Sequence, residues 1–88
     1  MKEFVSEEIE VTRQGRGGPP ASFVWRDREY RVARIKRRWR QVDMRRQWWQ
    51  RRHRDHYVVE TDSGELFELY FHRGFGRRYW VLYRQVDA

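Results

Sequence analysis

An all-β fold follows from three features of the sequence. Apolar and polar residues alternate with period two through several short runs. Most of these runs are separated by short turns bearing glycine or aspartate, too short to hold a helix. Trp, Tyr and Phe occur five times each among the 88 residues, a content that suits pleated, half-buried surfaces. With no βαβ spacing and no internal repeat, the economical architecture is one small domain over residues 1–88. It has about six antiparallel strands in a strongly curved sheet or open barrel, ending in a meander.

Residues 4–12 form the first strand, with Ile9 and Val11 on one face and Glu8, Glu10 and Thr12 on the other. The stretch RQGRGGPP, residues 13–20, holds three glycines and two prolines and reads as a mobile hairpin loop. Residues 21–25 give a second strand with Phe23 and Trp25 on a common face, and Arg26–Asp27 makes a tight reversal.

The third run, REYRVARIKRRWRQ over residues 28–41, is the most informative. Val32, Ile35, Trp39 and Val42 also fit helical spacing, but the basic period of two and the β-branched and aromatic content decide for strand. Arg34, Lys36, Arg38 and Arg40 then share one face, opposite Ile35 and Trp39, with Arg37 near the rim. A rise of about 3.3 Å per residue spreads the four cations over about 20 Å, a comb able to follow a sugar–phosphate backbone. Tyr30 and Val32 have the opposite parity to Ile35 and Trp39, so a bulge is expected near Ala33–Arg34. The acidic face of the first strand is a candidate partner for these cations.

Alternation lapses over residues 42–55, where a short helix near 43–50 with Asp43 as N-cap is the competing reading. Trp48 and Trp49 are adjacent and must diverge, so one is expected in solvent. From His56 a meander resumes. Tyr57, Val59 and Thr61 share a face before the Asp62–Ser63–Gly64 turn. Residues 65–71 follow, with Phe67, Leu69 and Phe71 on one side and Leu66, Glu68 and Tyr70 on the other. After a turn at 72–77, residues 78–86 form a last strand that is apolar on both faces.

Charge is unevenly placed. The net +7 resolves into −3 over residues 1–12, +12 over 13–54 and −2 over 55–88. A basic middle between acidic ends points to an anionic partner, although arginine-rich usage also follows from GC-rich coding. No apolar-faced helix accompanies the charge, which disfavours a membrane surface. No apolar run reaches signal-peptide or membrane-spanning length, so a cytoplasmic location is expected, and the lack of cysteine excludes disulfides and thiolate metal sites.

Several ordered landmarks resemble a family. FVSEEIEV, FVWRDREYRVARI with Trp39–Arg40, Trp48–Trp49, RDHYVVE, ELFELY and YWVL are similar to a set of small uncharacterised bacterial proteins. The same pattern resembles the C-terminal module of ImuB-type proteins, Y-family polymerase homologues of a mutagenic-repair cassette. The resemblance covers nearly the whole chain and carries no catalytic residue. It implies an accessory module near DNA-damage tolerance.

The remaining constellations are weak. His53, Asp55 and His56 offer two imidazoles and a carboxylate, but nearby arginines oppose a cation and no third strong ligand is evident. Glu60 and Glu68 read as solvent-facing positions of alternating strands rather than a catalytic pair. With no nucleophile motif and no phosphate loop, a non-enzymatic protein without metal or cofactor is expected. What remains is Arg interleaved with aromatics, the combination used to bind single strands. Arg34, Lys36, Arg38, Arg40, Arg45, Arg46, Arg51 and Arg52 are the candidate phosphate contacts, and Trp48 and Trp49 the candidate stacking platforms. The expected partner is nucleic acid; the alternative is a polymerase or repair protein docked by the same Arg and Trp.

Overall fold

The computed structural model describes residues 3–42, 53–73 and 77–86. They form six strands: β1 (Glu3–Arg13), β2 (Pro20–Trp25), β3 (Arg28–Gln41), β4 (Arg54–Thr61), β5 (Leu66–His72) and β6 (Tyr79–Val86). Each pairs antiparallel with its neighbours in sequence, and β1 pairs with β6, so the sheet closes into a barrel. No helix among the described residues is long and apolar enough to cross a membrane. The short helix expected near 43–50 lies outside the described residues.

Two long strands bend to close the barrel. β1 pairs with β6 over its first part and with β2 from Glu10 onward. Its register shifts between Phe4 and Glu7, where Ser6 takes a φ of 53°. β3 pairs with β2 over residues 28–31 and with β4 from Val32 to Gln41. The reversal between β2 and β3 is made by Arg26 and Asp27, with φ of 52° and 64°. Two successive left-handed residues are what a two-residue hairpin turn requires to match strand twist.

The interior is aromatic. Phe23, Phe67, Leu69, Leu82 and Val59 are fully buried, joined by Ile9, Trp25, Tyr30, Tyr57 and Trp80. Phe23 stacks on Tyr30 at 5.1 Å and meets Phe67 edge-on at 5.5 Å, which ties the β2–β3 layer to β5. Trp25 satisfies its indole N–H by donating to the Glu7 carboxylate at 3.0 Å.

The β1–β2 loop is shorter than the expected residues 13–20. Arg13 and Pro20 are strand residues paired with each other, the Gln14 amide donates to Pro19 O at 2.8 Å, and Pro20 is fully buried. The acidic residues of β1 do not face β3, because β2 and β6 occupy both of its edges. Glu8 pairs instead with Arg77, and Glu7 with Arg26.

Candidate functional site at the barrel mouth

The single-faced comb does not form, and the reason is backbone register. The expected bulge is present between Val32 and Arg34, but a second shift lies between Ile35 and Arg37. Each extra residue moves all following side chains to the opposite face. Ile35 pairs with the core residue Val59, whereas Arg38 and Arg40 stand opposite Tyr57 and Asp55, on that same inner face. Arg34 stays on the outer face opposite Glu60 and pairs with it at 3.0 Å, while Lys36 sits in the second bulge. Trp39, expected in the core, falls on the outer face and stacks on His56 at 4.9 Å with rings 1° from parallel.

The inner-face positions at one end of the barrel are basic. Arg38 and Arg40 from β3 meet Arg13 at the end of β1 and Arg73 just beyond β5, around Asp55. Arg73 holds its place because its amide donates to His53 O at 2.8 Å, extending the β4–β5 ladder. Asp55 Oδ1 accepts from Arg40 Nε at 3.1 Å and from Arg73 Nε at 3.0 Å. Arg13 donates its Nε–H to Gly18 O at 2.8 Å, with its guanidinium 5.0 Å from the Phe71 ring and 5.4 Å from Trp80. Lys36 and Arg38 are exposed, with no hydrogen bond or ion pair among the described residues.

The mouth opens into a cleft because β3 is shared between two neighbours. Beyond Arg31 its second edge has no strand partner among the described residues, and the β1–β2 hairpin faces it across a gap. A cavity of about 420 Å³ there is lined by Arg13, Gly17, Arg38, Arg40, Asp55 and Tyr57, and also by Trp39 and His56. It adjoins a second of about 320 Å³ lined by Pro19, Ile35, Lys36, Arg37 and Arg38. Such a cleft suits an extended anion met by cations on both walls.

A second polar cluster lies on the outer wall. Glu68, expected in solvent, is 4% exposed and accepts from Arg84 Nε at 2.7 Å. Its other oxygen is 3.5 Å from His56 Nδ1, and His56 Nε2 is 3.0 Å from Gln41 Oε1. Burial pushes the His56 imidazole below its ordinary range; Glu68 and Asp55 pull it up, and Arg54 pushes it down. Both carboxylates weighed as a pair from the sequence are held by arginine, Glu60 by Arg34 and Glu68 by Arg84. No group of three or more metal-ligating side chains occurs among the described residues.

Of the residues singled out from the sequence, the structure brings Lys36, Arg38 and Arg40 to the cleft and places Arg34 outside it. Arg45, Arg46, Trp48, Trp49, Arg51 and Arg52 lie outside the described residues. Sequence reasoning missed Arg13 and Arg73, although a signal was present. Arg13 continues the inward run of Ile9 and Val11, and Arg73 that of Phe67, Leu69 and Phe71. A run of inward apolar residues that ends in Arg marks where a barrel interior meets solvent.

A family model described as a domain of unknown function, DUF6504, matches residues 1–87. No curated protein and no solved structure matches the chain.

Proposed function

The chain belongs to the DUF6504 family, and on that premise we propose that it is a non-catalytic nucleic-acid-binding accessory module. Its ligand is the backbone of a single strand laid in the cleft between β3 and the β1–β2 hairpin. One observation carries this reading: Arg13, Lys36, Arg38 and Arg40 converge on an open cleft in which Asp55 is the only lining carboxylate among the described residues. Phosphate contacts of this kind supply affinity without reading sequence. The resemblance to ImuB-type C-terminal modules supports a role in the cytoplasm near DNA repair or damage tolerance.

Anisotropy of a labelled single strand of about 20 nucleotides, titrated at several salt concentrations, tests the proposal. About four neutralised phosphates give a slope of log K against log salt near −3. Replacing Lys36 and Arg38 together by Ser flattens that slope by about 1.4, at about 0.7 per contact. Neither side chain has an ion-pair partner among the described residues, so stability changes by no more than about 0.5 kcal/mol per site. No binding at about 50 mM salt, where phosphate contacts are strongest, refutes the proposal.

A second reading, an adaptor that docks a polymerase or repair subunit, is favoured by the outer wall. Phe4 is 68% exposed and edge-on to Tyr83 at 5.1 Å, and Val42 is 49% exposed. Aromatic side chains left in solvent are typical interface anchors. Phe4→Ser separates the two readings, since it removes adaptor binding and leaves the salt slope unchanged.

A further inference from the structure

The arginines at the mouth are held in an unusual way. Every side-chain hydrogen bond that Arg13, Arg40 and Arg73 make among the described residues runs through Nε, to Gly18 O, to Asp55 Oδ1 and to Asp55 Oδ1 respectively. Because two guanidiniums bond one oxygen, their Nε atoms lie no more than about 6 Å apart. Asp55 is only 16% exposed, so the carboxylate is a fixed support rather than a mobile counter-ion. The terminal nitrogens, which carry four of the five donors of each guanidinium, have no protein acceptor among the described residues. One carboxylate cannot neutralise the two arginines it orients, and Arg13 and Arg38 stand on the same cavity.

A diester phosphate has one negative charge and two free oxygens, and a single guanidinium satisfies it. Three or four converging forks match a group with more charge and more acceptors. We propose that the barrel mouth is a site for a terminal phosphomonoester, the phosphorylated end of a strand or the phosphate of a mononucleotide. A phosphomonoester carries about −1.5 to −2 charge near neutral pH and three acceptor oxygens, which the clamp meets with forks from both sides. The cavity of about 420 Å³ also has room for the sugar attached to that phosphate. Asp55 is a positioning residue here: it touches the guanidiniums and repels the ligand, yet the site depends on it. The inference rests on the nucleic-acid reading only in the identity of the molecule bearing the phosphate.

Internally labelled strands of one sequence, bearing a 5′-phosphate, a 3′-phosphate or hydroxyls at both ends, are compared by anisotropy. Unlabelled nucleoside 5′-monophosphate and the parent nucleoside serve as competitors. A phosphorylated end binds about tenfold tighter than the hydroxyl strand, and the monophosphate competes where the nucleoside does not. Asp55→Asn adds a unit of positive charge, so simple attraction would strengthen binding of every strand. Positioning predicts the reverse for the end group: the preference falls to about twofold or less. Arg40→Lys keeps the charge, loses the fork at a side chain that is 65% exposed, and lowers the same preference with the fold intact. Equal affinity for all three strands overturns the terminal-phosphate site and leaves the backbone proposal standing. Competition by the monophosphate with no strand binding does the opposite. Preservation of the preference in both variants overturns the role given to the Asp55-held pair.

Discussion

Replacing Glu68 by Gln tests the outer-wall cluster, and its effect follows from the contacts. The carboxylate is 5% exposed at its side chain, accepts from Arg84 at 2.7 Å and faces His56 at 3.5 Å. The amide keeps the shape and one acceptor but removes the charge that meets the guanidinium. A hydrogen bond to a charged group is worth about 2 kcal/mol, so the melting temperature drops by about 8–16 °C for a domain of this size. The pH dependence carries the sharper test. His56 titrates below 6.5 in the folded chain and returns to 6.5 when unfolded. The unfolded state therefore binds more protons as pH falls past 6.5, so the stability is present above that value and lost below it. The groups facing the imidazole are Trp39 and Gln41 from β3, Arg54 and Asp55 on β4, and Glu68 and Tyr70 from β5. Among them Glu68 and Asp55 support the imidazolium. Without the Glu68 charge the folded value moves lower still, and the decline in melting temperature extends to more acidic pH than in the native chain. Circular-dichroism melts between about pH 7.5 and 5 read both effects. A melting temperature that is flat over this range, or a decline in the variant that ends at higher pH, refutes the reasoning.

Two further outcomes concern backbone geometry. A Cβ built on Gly18 falls 1.8 Å from Gln14 O, so Gly18→Ala forces the β1–β2 hairpin open and costs about 1–3 kcal/mol; a melting temperature within a degree of native would show that the hairpin yields freely. Asp27 holds a φ of 64° at an exposed turn, so Asp27→Gly relieves strain and raises stability by about 0.5–1 kcal/mol; a loss would mean that the Asp side chain itself braces the turn.

Strand identity was legible because each run has turn chemistry beside it. β3 spans the residues read from the sequence, and the bulge near Ala33–Arg34 was visible as a clash between the parity of Tyr30 and Val32 and that of Ile35. Its companion between Ile35 and Arg37 was not visible, since Lys36, Arg37 and Arg38 are all basic and no apolar residue marks the change of face. Closure by β1 and β6 is equally silent, because pairing between the two end strands leaves no local pattern. Glu68 was misread because alternation predicts only which face a residue takes. It does not say that Glu68 is only 4% exposed on that face, with Arg84 and His56 beside its carboxylate.

The cations of β3 also have a structural use. A strand edge without a partner invites pairing with another chain, and Lys and Arg along such an edge oppose it. Among the described residues β3 has this kind of edge beyond Arg31, flanked by Lys36, Arg37, Arg38 and Arg40. Edge protection and phosphate binding make separable claims about the Lys36→Ser, Arg38→Ser variant. If the charges only guard the edge, the variant self-associates as concentration rises while strand affinity and salt slope stay native. If they meet phosphate, the slope flattens by about 1.4 at concentrations where the variant is still monomeric. Light scattering run beside the anisotropy titration measures both quantities on one sample. Asp55 tips the expectation toward ligand binding. An edge guarded by charge alone gains nothing from a carboxylate that fixes Arg40 and Arg73 through their Nε atoms, whereas a phosphate clamp does.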